Sequence, residues 1–258
     1  MPGAWQAPPR RPMGSPSLLD LQGPAASVLP RQARLDVLDV AIGLRPSARI
    51  LARPGPEVRA AASLIEVLGL DACVARGLAK VPVGRSFADS FAPGDSAGAE
   101  RMAILYVAGR RESAEWTRSC DERCDDEALG EALGYPLCCV RAMLARGRVP
   151  SMADAVGMYS ARGGYDPLVW PPAAVADGPL LPHFPCSAGC EASRMLALAR
   201  WHSVRSDLPE LAMHVSRAAE SLYWVDGDGI VHSGGPGSIP VDVISVVRPG
   251  DVLPRGRS

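Results

Sequence analysis

The apolar and polar positions alternate with different periods along the chain, and each period predicts an element. Leu35-Asp-Val-Leu-Asp-Val-Ala-Ile42 carries apolar residues at helical spacing and marks the expected start of the folded part. Pro56 suits a first helical turn, and Val58, Ala61, Ala62, Ile65 and Leu68 form the apolar stripe of a helix running to Leu70. Cys73 follows as a small buried hydrophobe at the end of that helix. Arg101-Met-Ala-Ile-Leu-Tyr-Val-Ala-Gly109 is the clearest strand, a short apolar run closed by glycine. A polar helix over about 112–120 and a second over about 126–133, with acids in its first turn, come next.

Pro136 cannot continue that helix but suits the start of another, which carries Cys138 and Cys139. Further helices are expected over 191–205 and 209–222. Leu222-Tyr-Trp-Val-Asp-Gly-Asp-Gly-Ile-Val-His232 reads as a β-hairpin around a Gly/Asp turn, with a last strand over 241–247. Glycines and prolines crowd 84–100 and 147–182, which read as loops. Residues 1–33 are rich in Pro, Gly, Ser and Ala and predict a disordered extension; the tail beyond Pro249 and part of 147–180 are expected to be mobile. The pattern predicts an α+β or mixed α/β fold, a helix-rich single domain over 35–250. Its small sheet is expected to combine the strand at 102–108 with the C-terminal hairpin.

Composition narrows the function classes. The hydrophobic fraction of 47% supports a real core. With 27 basic and 28 acidic residues, no nucleic-acid footprint is expected. Lys80 is the only lysine, and the Arg, Ala, Gly and Pro bias is that of a GC-rich bacterial genome. No apolar run approaches the roughly 18 residues of a membrane helix, so no membrane association is expected. No apolar h-region marks a secretory signal either, so the expected compartment is the reducing cytoplasm. There, clustered cysteines are more often metal ligands or redox thiols than disulfides. Gly-x-Gly-x-x-Gly, Walker-type and His-Glu-x-x-His patterns are all missing from the sequence. Asp226-Gly-Asp-Gly229 lacks the rest of a calcium loop and reads as a turn.

The chemistry lies in the seven cysteines. Cys138 and Cys139 follow Pro136; Cys186 follows Pro185, with Cys190 four residues on and His183 three residues ahead. If both prolines open helices, both clusters sit at helix N-termini, where the dipole favours thiolate. Cys186 and Cys190 would then share a helix face. Adjacent helical residues point about 100° apart. Cys138 and Cys139 can therefore both ligate one centre only where the helix has barely begun; otherwise one is a ligand and the other is core or a free thiol. The expected metal set is Cys138, Cys139, His183, Cys186 and Cys190, with at least three sulfurs converging within about 3–5 Å. His183 has a second role open to it, proton transfer. With Tyr135 and Arg194 it is a candidate catalytic residue, and Glu191 and Ser193 could line the same pocket. Cys120 and Cys124 have acidic neighbours, which raise thiol pKa, and read as accessory ligands, redox thiols or plain surface thiols.

Leu133-Gly-Tyr-Pro-Leu-Cys-Cys139 and His183-Phe-Pro-Cys-Ser-Ala-Gly-Cys-Glu-Ala-Ser193 resemble two signature blocks of an uncharacterised archaeal and bacterial protein family. The resemblance covers about 90 residues and implies that the five site residues act as one constellation. It carries no reaction. Three readings follow from the residues. The first is an iron–sulfur or mononuclear-metal enzyme, such as an oxidoreductase, acting in redox or sulfur chemistry on a small-molecule substrate. The second is a zinc-stabilised accessory or binding module, and the third a metal-free thiol redox protein. The cofactor is accordingly an iron–sulfur cluster or zinc.

Overall fold

A computed structural model describes residues 21, 27–82, 99–147, 181–210, 212–213, 222–225, 231–234 and 245–247. Most of the expected extension at 1–33, residues 148–180, the tail 248–258, most of the expected loop at 84–100 and the hairpin turn lie outside these residues. The fold is α+β. Among the described residues there are six helices and two three-stranded antiparallel sheets. None of these helices is long and apolar enough to cross a membrane. The chain divides into two compact units, and residues 27–82 and 99–137 belong to the first.

The first unit is built around one apolar strand. Helix α1 (Arg31–Ala41) leads into β1 (Ser47–Ala52), then α2 (Pro56–Val67), β2 (Asp71–Pro82), β3 (Ala99–Ala108), α3 (Arg111–Glu122) and α4 (Asp126–Ala132). The sheet order is β1-β3-β2, with Ser47 and Asp71 both opposite Ala108. Residues 103–108 are all buried, as a continuous apolar run in a central strand requires. Ile104, Tyr106 and Ala108 pack with Leu51, Cys73 and Ala114 of α3. Ala103, Leu105 and Val107 face the other way by strand alternation and are buried too.

Several expectations are corrected here. The strand at 102–108 and the hairpin lie in separate sheets, because β1 and β2 take both edges of β3. Neither flanking strand stands out in the sequence: both are rich in alanine, a poor strand former, and pairing with β3 supplies what propensity does not. Cys73 is buried as expected, but on β2 rather than at a helix end. The folded chain also starts before Leu35: α1 begins at Arg31, and Leu29 ahead of it is buried.

Arg45 organises the end of this unit. It is buried against two buried carboxylates, 3.1 Å from Asp36 and 3.7 Å from Asp39. Its Nε donates to the Leu133 carbonyl at 2.8 Å, and its guanidinium lies 5.3 Å from the Tyr135 ring centre. Helix α4 stops beside it in a Schellman turn, with the Gly134 amide donating to Glu131 and the Tyr135 amide to Gly130. Gly134 has φ +72°, and a Cβ there would sit 2.7 Å from the Pro46 ring. The Leu-Gly-Tyr-Pro block is thus a helix terminator fitted to a buried arginine.

The second unit holds the described residues from Cys138 onward. They form α5 (Leu137–Arg146), whose first residue belongs to the other unit, α6 (Glu191–Asp207), and β4 (Leu222–Val225), β5 (Val231–Gly234) and β6 (Ser245–Val247). The hairpin is present as expected, with Leu222 opposite Gly234 and Val225 opposite Val231, and β6 pairs on the other side of β4. Ser193, Ala197, Arg200, Trp201 and Val204 form the buried stripe of α6.

Candidate metal centre

Four sulfurs meet in the second unit. Helix α5 begins at Leu137, so Cys138 and Cys139 lie in its first turn, where the free N–H groups favour thiolate. Both sulfurs reach one place because the helix has barely begun there, and they lie 3.9 Å apart. The Cys190 sulfur is 3.7 Å from Cys138 and 3.5 Å from Cys139. With Cys186 added, all four sulfurs lie within 4.8 Å of one another and could hold a metal ion.

The second pair arrives by a different route from the one expected. Pro185 does not open a helix. Cys190 is the N-cap of α6, and Cys186 lies just ahead of the turn that the Cys190 amide closes by donating to the Ser187 carbonyl at 3.2 Å. The two sulfurs therefore converge through a turn rather than along one helix face. The Cys186 amide donates to the Cys139 sulfur at 3.3 Å, and Arg146 holds the Cys186 carbonyl at 3.3 Å.

Ser193 is the residue that sequence reasoning placed too loosely, as a pocket-lining candidate. It is buried on α6, with its hydroxyl 3.2 Å from the Cys139 sulfur and 2.9 Å from His183 Nε2. A hydroxyl has one proton. With Nε2 protonated, His183 donates to Ser193 and Ser193 donates to the sulfur. The only signal in the sequence was position: three residues past the N-cap, a side chain returns toward the cap. His183, expected among the ligands, is not in the four-sulfur group and faces Ser193.

The environment separates the thiols. Burial pushes Cys139 far up, against the Ser193 hydroxyl and the Cys186 amide, which pull it down. Burial, with the neighbouring Cys190 and Cys138, also raises Cys186. Burial opposes ionisation of Cys190 too, but there the Ser193 hydroxyl and amide and the Cys139 and Cys186 thiols prevail and bring it down to about 6. Cys190 is buried and Cys138 exposed.

No protein-family model, curated protein or solved structure matches this chain.

The remaining candidates lie elsewhere or at the margin. Tyr135 belongs to the first unit, covering Arg45 and packing against Cys120, Leu129 and Leu133. Arg194 is half-buried on α6, and its amide donates to the Cys190 carbonyl at 3.0 Å. Glu191 is exposed in the first turn of α6. Cys120 and Cys124 are outside the four-sulfur group. Cys120 is buried with its thiol raised by burial, and Cys124 is exposed just past the end of α3.

Proposed function

We propose that Cys138, Cys139, Cys186 and Cys190 hold one zinc ion, and that the chain is a zinc-stabilised accessory or binding module. One observation carries this reading. The three sulfur pairs among Cys138, Cys139 and Cys190 lie 3.5, 3.7 and 3.9 Å apart. A tetrahedral ion with bonds of about 2.3 Å sets its sulfurs about 3.8 Å apart. In an iron–sulfur cluster the thiolates are shared among several irons and are held farther apart, so this spacing favours a single ion. Four thiolates also complete a tetrahedral shell, the pattern of structural rather than open catalytic zinc sites. The ion would tie the first turn of α5 to the turn ahead of α6, and its binding free energy would become folding free energy. Both sequence blocks that resemble the archaeal and bacterial family supply ligands to this set, which supports reading them as one site.

Anaerobic purification followed by metal analysis and an absorption spectrum tests the proposal. A colourless protein with one zinc per chain is expected, and cobalt exchange should give the intense visible bands of a tetrahedral thiolate site. A brown protein with iron and labile sulfide, or a chain isolated anaerobically without metal, overturns it.

A further inference from the structure

The four sulfurs are unequal in access and in hydrogen bonding. Cys139 is buried and lies against two donors, the Ser193 hydroxyl at 3.2 Å and the Cys186 amide at 3.3 Å. Cys190 is buried at the N-cap of α6 beside Ser193. Cys138 is exposed. Its sulfur lies against the Cys139 and Cys190 sulfurs, and among the described residues no N–H or O–H donor reaches it. Hydrogen bonds stabilise the charge on a thiolate and withdraw its electron density, and burial blocks approach. A metal-bound thiolate lacking both protections keeps the most available lone pair. A filled coordination shell leaves no open position for a substrate, so chemistry at such a site must pass through a ligand.

We propose that Cys138 is the reactive thiolate of this site, attacking a soft carbon electrophile while Cys139 and Cys190 anchor the metal. This rests on the metal reading above. The electrophile is an alkyl group bearing a good leaving group. The Cys138 sulfur lone pair forms the new S–C bond as the bond from carbon to the leaving group breaks, and the leaving group departs as an anion with that electron pair. No electrons are exchanged with another reagent. The product is a thioether, a neutral and weaker ligand, so the modified site differs in charge by one unit from the unmodified one.

The test uses the full-length zinc-loaded chain carrying Cys124→Ser, which removes the exposed thiol of the first unit. Zinc content is measured first. The protein is then treated with iodoacetamide and sampled over time, with peptide mass spectrometry reading each cysteine. Cys138 should be carbamidomethylated at least tenfold faster than Cys139, Cys186 or Cys190. Ser193→Ala should accelerate modification of Cys139 by removing a hydrogen bond to its sulfur. A chain that binds no zinc overturns the metal reading and this inference with it. A zinc-bound chain in which Cys186 reacts first, or in which all four react at similar rates, overturns this inference alone.

Discussion

Replacing Arg45 with methionine should open the first unit far more readily. The substitution keeps most of the side-chain volume, so little of its effect comes from a cavity. It removes the guanidinium that faces Asp36 at 3.1 Å and Asp39 at 3.7 Å. The Arg45, Asp36 and Asp39 side chains are 1%, 7% and 1% exposed, so water cannot take its place. Asp36 keeps the Gln32 amide at 3.2 Å, a neutral donor that offsets only part of the loss. The Leu133 carbonyl loses a 2.8 Å donor. Breaking a buried ion pair from one side costs about 3–5 kcal/mol. At about 1.4 kcal/mol per decade, that is a hundredfold to several-thousandfold rise in the open population. Amide hydrogen exchange of Ile104, Leu105 and Tyr106 on β3 reads this opening directly, without requiring the whole chain to unfold in one step. Adding Asp36→Asn should recover part of the loss by removing one of the two buried charges that Arg45 neutralises. Arg45→Lys should rescue poorly, because a lysine cannot serve two carboxylates and a carbonyl through one planar fork. An exchange rate in Arg45→Met within tenfold of wild type would refute the argument.

Gly134→Ala should destabilise the first unit by about 2–4 kcal/mol, combining a left-handed backbone with a forced contact on a proline ring; thermal melting checks it. Cys124→Gly should do the opposite. Cys124 has φ 55° and is the left-handed residue of the Schellman turn ending α3, in which its amide donates to Asp121 and the Asp125 amide donates to Cys120. Glycine there should add about 0.5–1 kcal/mol after its greater unfolded-state entropy is subtracted, measured by the same melt. Metal affinity should rise with pH. Burial holds Cys139 and Cys186 above the ordinary thiol range, so both are protonated near neutrality and must release protons on binding, whereas Cys190, at about 6, is already mostly thiolate. Those two protons alone give about a hundredfold gain per pH unit, read by competition with a chromophoric chelator at two pH values; a flat or falling affinity contradicts it.

Local pattern made much of this protein legible. The apolar run of β3, the stripe of α2, the Gly/Asp hairpin and the Pro136 helix start each depend on neighbours within a few residues, and each lies close to where the sequence put it. The convergence of Cys138, Cys139, Cys186 and Cys190 was legible for a similar reason. Vicinal and four-spaced cysteines beside helix-start signals leave few structural roles, although the route of Cys186, through a turn, was misread. What tertiary structure alone decided is everything that depends on distant partners. Alanine-rich β1 and β2 become strands because β3 pairs with them on both sides. Gly134 and Tyr135 take their roles from Arg45, far away in the chain. Ser193 rather than a histidine stands against the buried sulfur, because His183 ends beside the hydroxyl and the hydroxyl beside Cys139. Periodicity records which face a residue presents, but the atom it meets across the fold is set by packing, and hydrogen bonding depends on differences of less than an ångström.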